Sequence, residues 1–194
     1  MYPEAILTPS VLESCYRSGA FPMADGEGNV EFYRADPRCI LELDGLRVSK
    51  SLARVVRSGK FQVEVNRDFE AVVWGCADRR ETWISPGIVR AYVELHRAGK
   101  AHSVEAYHEG RLVGGLYGVA LGGFFGGESM FSRMSDASKV CLVKLVERLK
   151  ERGYTLLDCQ IQNDHLKRLG ATEIPEKDFF VRLERALALE RSFD

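Results

Sequence analysis

No two cysteines of this chain form a C-x-x-C pair. The five present (Cys15, Cys39, Cys76, Cys141 and Cys159) stand far apart and are odd in number. That speaks against a disulfide framework or a structural zinc site and for reduced thiols in a cytoplasmic protein, with no metal expected. Long apolar runs are missing too. The longest uncharged stretch, Leu112 to Gly127, is rich in glycine and falls short of the roughly 20 residues a membrane helix needs. The segment MYPEAILTPS has neither the basic start nor the apolar run of a signal peptide, so a cytoplasmic chain with no membrane partner is expected. Excess charge of one sign is absent as well. With a formal net charge of -1, any surface for a polyanion has to be a local basic patch offset by acidic residues elsewhere. No internal repeat or low-complexity tract is visible.

What is present is the composition of an ordinary soluble protein: 45% hydrophobic and 28% charged residues, neither disordered nor membrane-like. A chain of 194 residues can bury a proper core, and its length suggests one large domain or two small ones sharing an interface, of which two are expected. Punctuation by Gly, Pro and capping residues predicts a helix over Pro9 to Ser18, then the turn-rich AFPMADGEGN and an extended segment at Glu31 to Tyr33. A turn at Asp36-Pro37 precedes a strand over Cys39 to Leu43. Ser49 is placed to cap a helix ending at Arg57, Phe61 to Val65 alternates as a strand, and a helix follows near Asp68 to Cys76.

Ser85-Pro86 is a strong start for a helix to about Ala98. AHSVEAYH, RLVGGLYGVAL and FFGGESMF read as three strands of an antiparallel meander. Leu142, Leu145, Val146 and Leu149 place one stripe of a helix over Ala137 to Arg152 in the core. The strand TLLDCQ, a short helix near His165 to Leu169 and a terminal helix from about Lys177 complete the chain. A meander, an amphipathic helix and a further strand are the order of a GNAT-type acyltransferase core, a likeness of fold that does not establish chemistry. Acyl-CoA enzymes of that type cradle pyrophosphate on a glycine-rich loop at the start of the central helix. Here that place holds SRMSDASK, without glycine, which argues against CoA.

Alternation puts Leu156, Asp158 and Gln160 on one face of TLLDCQ. A carboxylate beside an amide can orient and deprotonate an amine while the amide supports a developing oxyanion. The same pattern also fits a strand end meeting solvent. Glu128, among Phe124, Phe125, Met130 and Phe131, is either costly to bury or paired with a donor. Trp83 fits a core position or a platform on which a base stacks. His102 has no partner at metal spacing and reads as structural, and His165 has no serine elbow to form a triad with. Arg47, Lys50, Arg54, Arg57 and Lys60 are spaced as one basic stripe, with Leu52, Val55 and Val56 turned away from it. A solvated helix face accounts for the stripe as well as a phosphate surface does.

The runs YRSGAFPM, TWISPGIVRAYVELHRAGKAHSVE, LVGGLYGVALGGFFGGESMFSRMSDASK, LLDCQ and NDHLKRLGATEIP, in this order, resemble the bacterial leucyl/phenylalanyl-tRNA-protein transferases over nearly the whole chain. The resemblance implies transfer of Leu or Phe, with Met also tolerated, from aminoacyl-tRNA to the α-amino group of proteins beginning with Arg or Lys, creating an N-terminal degradation signal. It implies an α/β (α+β) fold in which a small N-terminal α/β domain, residues 1–62, joins a GNAT-like catalytic domain, residues 63–194, with a mainly antiparallel sheet flanked by helices. No cofactor, no metal and a monomer are expected.

Carried over position by position, the resemblance assigns Asp158 and Gln160 to the reacting amine and ester. Trp83, Glu128, Ser129 and Tyr33 fall beside the aminoacyl-adenosine, and Leu116, Phe125, Leu142, Leu145 and Leu157 around the apolar side-chain pocket. The resemblance also places a tRNA acceptor stem near the N-terminal domain, which makes Lys50, Arg54, Arg57 and Lys60 of the basic stripe candidates for its phosphates. The chain departs from the family at EFYRADPR, where tryptophan and Ser-Pro are common, at Glu176, where arginine is usual, and at Leu145, where an aromatic sometimes stands. Two alternatives stay open: an acyltransferase using another aminoacyl-tRNA, and a non-catalytic binder of charged tRNA.

Overall fold

Side-chain oxygens set most of the helix starts. Thr8 accepts from the Val11 amide at the head of α1 (Pro9–Arg17), and Ser49 from the Leu52 amide at α2 (Lys50–Arg57). Asp68 caps α3 (Phe69–Ala77), and Ser85 caps α4 (Pro86–Arg97) with Pro86 in the first turn. Each such bond satisfies an amide that the first turn leaves without a partner. The central helix α5 (Ala137–Glu151) instead follows Asp136 in a left-handed conformation (φ 70°). Asn163 caps the short α6 (Asp164–Arg168), and Pro175 precedes α7 (Glu176–Leu187).

The computed structural model describes residues 1–25 and 27–194; Gly26, in the turn-rich segment, lies outside them. Strands β1 (Tyr2–Pro3), β2 (Phe21–Ala24) and β3 (Asn29–Tyr33) form a small sheet in the order β1-β3-β2. Strands β4 (Arg38–Leu41), β5 (Gln62–Val65), β6 (Ala101–His108), β7 (Arg111–Leu121), β8 (Phe124–Ser132), β9 (Leu156–Gln160) and β10 (Thr172–Ile174) form a second sheet, ordered β10-β4-β9-β8-β7-β6-β5. All its pairings are antiparallel except β8 with β9, which is parallel. The expected meander is β6-β7-β8. Glu109 and Gly110, both at positive φ (50° and 76°), make its first tight turn, the geometry that suits a two-residue hairpin.

Alternation along the strands splits the core between two faces. Tyr117, Val119, Phe124 and Leu156 pack with Tyr16 of α1, Val72 of α3, Ile88 and Tyr92 of α4 and Phe179 of α7. Leu116, Phe125 and Leu157 pack with Leu142, Leu145 and Leu149 of α5 and with Leu52 of α2. The protein is thus a mixed α/β fold with a mainly antiparallel sheet covered by helices on both sides.

The two sheets part after Tyr33. β4 and α2, inside the expected N-terminal unit, belong to the large sheet and its α5 face, because Cys39, Leu41 and Leu52 are buried in that face's core. Leu12, Tyr16, Phe21 and Val30 of the first 33 residues share a core with α3 and α4. Three short strands escaped the sequence reading. β1 and β10 have two and three residues, too few to show a period, and β2 lies in the segment read as turn. Among the described residues, no helix is long and apolar enough to cross a membrane.

Candidate functional site

β8 and β9 pair only from Phe124↔Leu156 to Gly126↔Asp158. Beyond that point β8 continues on β7 and β9 continues on β4, so the two strands separate. A cavity of about 360 Å³ lies where they part, lined by Gly127 to Met130 on one side and Cys159 to Ile161 on the other. Both strands are bulged at its edge. Tyr117 pairs with Ser129 and Gly118 with Gly127, which leaves Glu128 as the extra residue of β8. Ile40 pairs with Asp158 and Cys39 with Gln160, which leaves Cys159 as the extra residue of β9. A bulge breaks the strict alternation of a strand and re-aims side chains, which accounts for a carboxylate at the centre of an apolar strand.

Glu128 is held by donors from two directions. Tyr92 Oη donates to its Oε2 at 2.9 Å, and Gln160 Nε2 donates to its Oε1 at 3.1 Å. Behind Tyr92, the hydroxyls of Tyr92 and Tyr16 are hydrogen-bonded to each other in the core. Glu128 lines the cavity and is only partly exposed. Burial therefore pushes its carboxyl up to about 7, against the tyrosine hydroxyls and Arg38, which favour the ionised form; the negative charge of Asp158 adds to the rise. Gln160 stands at φ 55°, a left-handed conformation uncommon outside glycine.

Asp158 has no exposed surface and does not line the cavity. Arg38 Nε and Nη2 donate to its two oxygens at 2.8 and 2.7 Å, and the Gln160 amide donates to Oδ1 at 3.0 Å. The Arg38 guanidinium is itself fixed by the Gly19 carbonyl at 2.9 Å and lies over the rings of Phe21 and Phe179. The strand end that could have met solvent is therefore a buried ion pair. Asp158 and Gln160 are joined through a backbone amide, and of the two only Gln160 reaches the cavity.

The structure gathers half of the remaining expected residues at the cavity. Trp83 and Ser129 line the cavity, and so do Leu116, Leu142, Leu145 and Leu157, which form its apolar end. Phe125 is fully buried outside the lining and packs against Phe193 at a ring distance of 5.4 Å. Tyr33 lies outside the cavity, 41% exposed, with its hydroxyl donated to Glu31 at 2.7 Å. Lys50, Arg54, Arg57 and Lys60 are exposed on and just beyond α2 and form no part of the cavity. His165 lines the cavity as a lone imidazole whose pKa is lowered, chiefly by burial and then by Lys139 and Arg168. His102 is buried against Phe193, and burial brings its pKa down to about 4. Among the described residues no group of three or more His, Cys, Asp or Glu side chains could hold a metal ion.

Sequence reasoning missed Arg38, Arg79, Tyr16 and Tyr92. Tyr16 and Arg38 stand in the runs YRSGAFPM and DPR, where nothing local marks a partner 76 or 120 residues away.

Residues 40–184 match the model of a family described as leucyl/phenylalanyl-tRNA protein transferase. The chain is 66% identical over 188 residues to the leucyl/phenylalanyl-tRNA–protein transferase of Rubrobacter xylanophilus, covering 96% of this chain and 98% of that one. It is 50% identical to the protein of the same name from Gloeobacter violaceus, covering 96% and 97%. The chain belongs to this family of transferases. Among solved structures, a GCN5-related N-acetyltransferase from Kribbella flavida is similar at 15% identity and a TM-score of 0.46, over 85% of this chain and 60% of that one.

Proposed function

We propose that this chain moves Leu or Phe, with Met also tolerated, from aminoacyl-tRNA to the α-amino group of proteins beginning with Arg or Lys, in the cytoplasm, as a monomer and without a cofactor. The observation that carries this is the contact between Gln160 and Glu128 at the polar end of a cavity whose other end is walled by leucines. That arrangement fits an ester of a small apolar amino acid, with the side chain among Leu116, Leu142, Leu145 and Leu157 and the adenosine towards Trp83 and Ser129.

The chemistry is aminolysis. The acceptor's amine nitrogen attacks the ester carbonyl, a C–N bond forms, and the bond to the ribose oxygen breaks. Gln160 has its amide N–H directed to Glu128, which leaves its Oε1 to accept from the incoming amine. Glu128, with a carboxyl near 7, is the carboxylate placed to take the amine proton; the ribose oxygen leaves with a proton in return. Asp158 acts here by holding Gln160 through its backbone amide, with Arg38 balancing the charge, so it is a positioning residue. An activated ester needs little further help, since holding the amine against the carbonyl can lower the barrier by roughly 7–11 kcal/mol. The exposed stripe Lys50, Arg54, Arg57 and Lys60 supplies sequence-independent affinity for tRNA phosphates.

The deciding assay uses labelled Leu-tRNA or Phe-tRNA with an Arg-initiated protein, without metal or CoA. Transfer of label to the acceptor's N-terminus is expected. A folded protein that binds both tRNAs and transfers neither amino acid is instead a non-catalytic binder of charged tRNA.

A further inference from the structure

Arg79 follows α3 in the loop that leads to Trp83, and both side chains line the cavity. Its guanidinium is exposed yet anchored. Nε donates to the Cys76 carbonyl at 2.7 Å, and Nη2 donates to Ser129 Oγ at 2.8 Å and to the Met130 carbonyl at 3.4 Å. A surface arginine ordinarily keeps its rotamer freedom. This one is set in place by α3 and β8 together. Its three partners are neutral oxygens, which leave the positive charge uncompensated. Among the described residues Nη1 donates no hydrogen bond, so one edge of the fork stays available.

The charge sorts the two substrates. An acceptor beginning with Arg or Lys is repelled from a fixed guanidinium, whereas a phosphate is drawn to it, because the planar fork matches phosphate oxygens at short, charge-assisted distances. Trp83 stands on the same loop and offers a face on which a base can stack. We propose that Arg79 binds the 5′-phosphate of the nucleotide that carries the amino acid, so that one loop receives both the base and the phosphate of a single nucleotide. The inference rests on the transferase assignment. It is separate from the α2 stripe, which is exposed and lies outside the cavity. A phosphate fixed at Arg79 also fixes the ribose beside Ser129 and so sets how far the ester reaches towards Gln160 and Glu128.

The test compares two donors that differ in this phosphate alone, 3′-O-phenylalanyl-adenosine and its 5′-monophosphate, with an Arg-initiated peptide as acceptor. The parent's kcat/KM is expected to favour the phosphorylated donor by about tenfold to a hundredfold, the scale of hydrogen bonds to a charged group. Arg79→Ala should bring that preference to within about twofold, and Arg79→Lys should keep part of it. A parent without preference overturns the proposal. So does an Arg79→Ala variant with the parent's preference, since a strut between α3 and β8 would affect both donors alike. The preference is a ratio within one preparation, so a partly unfolded variant does not distort it. A parent that turns over neither donor nor Leu-tRNA refutes the transferase assignment instead. Titration calorimetry with AMP and adenosine then decides the phosphate site on its own, because equal affinities in the parent overturn it.

Discussion

Arg38 grips both carboxylate oxygens of Asp158, at 2.8 and 2.7 Å, across 120 residues of sequence, with neither side chain more than 2% exposed. Such a pair is costly to break, because removing one partner strands a charge in a low dielectric. Arg38→Met and Asp158→Leu are each expected to lower unfolding stability by about 3–5 kcal/mol. The double variant should recover much of that loss in a denaturant titration while remaining slow in transfer, since Gln160 loses its anchor either way. A double variant as slow as expected but no more stable than the single ones would mean that the pair is not self-contained.

Glu128 gives a pH signature. Its carboxyl is raised from 4.5 to about 7, so between these values the folded chain holds a proton that the unfolded chain has released. Stability therefore falls as pH rises from about 4.5 to about 7 and is level above, and Glu128→Gln should flatten this slope. In transfer assays the parent's kcat/KM should rise in two steps, one near 7 from Glu128 and one near 8 from the acceptor's own amine, about the value for a free α-amino group. The Gln variant should keep only the second. A parent profile with a single step near 8 would take Glu128 out of the proton path.

Leu145 and Leu142, both under 4% exposed, face the apolar end of the cavity from consecutive turns of α5. Leu145→Ala removes three carbons from the wall and should shift the choice of donor from Leu towards Phe by about tenfold or more, at a stability cost of about 2–5 kcal/mol. Competition between Leu-tRNA and Phe-tRNA in one reaction measures the shift. Arg-tRNA should stay a poor donor throughout, because an ionised side chain among leucines has nothing to pair with.

The basic stripe has a salt signature. Arg54→Ala and Arg57→Ala should weaken Leu-tRNA and Phe-tRNA binding alike, each flattening the plot of log K against log salt by about 1 unit. Parent slopes in both variants would return the stripe to a solvated helix face.

Much of this fold is local and was therefore legible. Ser49 and Ser85 cap helices where the sequence placed them, and the Glu109-Gly110 turn joins the first two strands of the meander. The leucine stripe of α5 packs as its period required. What stayed hidden depends on partners distant in sequence. Period-two alternation put Asp158 and Gln160 side by side on one face, but the bulge at Cys159 and the left-handed Gln160 separate them, one into the core and one into the cavity. Arg38 and Arg79 carried no periodic signal, because their importance comes from what β9 and β8 bring next to them. The place of β4 was hidden for a related reason: it joins the large sheet by its pairing with β9, which no local pattern around Cys39 records.

The parting of β8 and β9 divides the labour of the cavity between two kinds of structure. The polar end is made by strand residues whose directions are set by bulges, and bulges are locked by the hydrogen bonds of neighbouring strands. The apolar end is floored in part by side chains of α5, which can change size without altering any strand's register. In the proposed transfer, substitutions on the helix therefore retune which amino acid is carried while the amine and ester still meet in an unchanged frame. A catalyst built this way has an adjustable selector resting on a fixed reactor, and the two can drift independently.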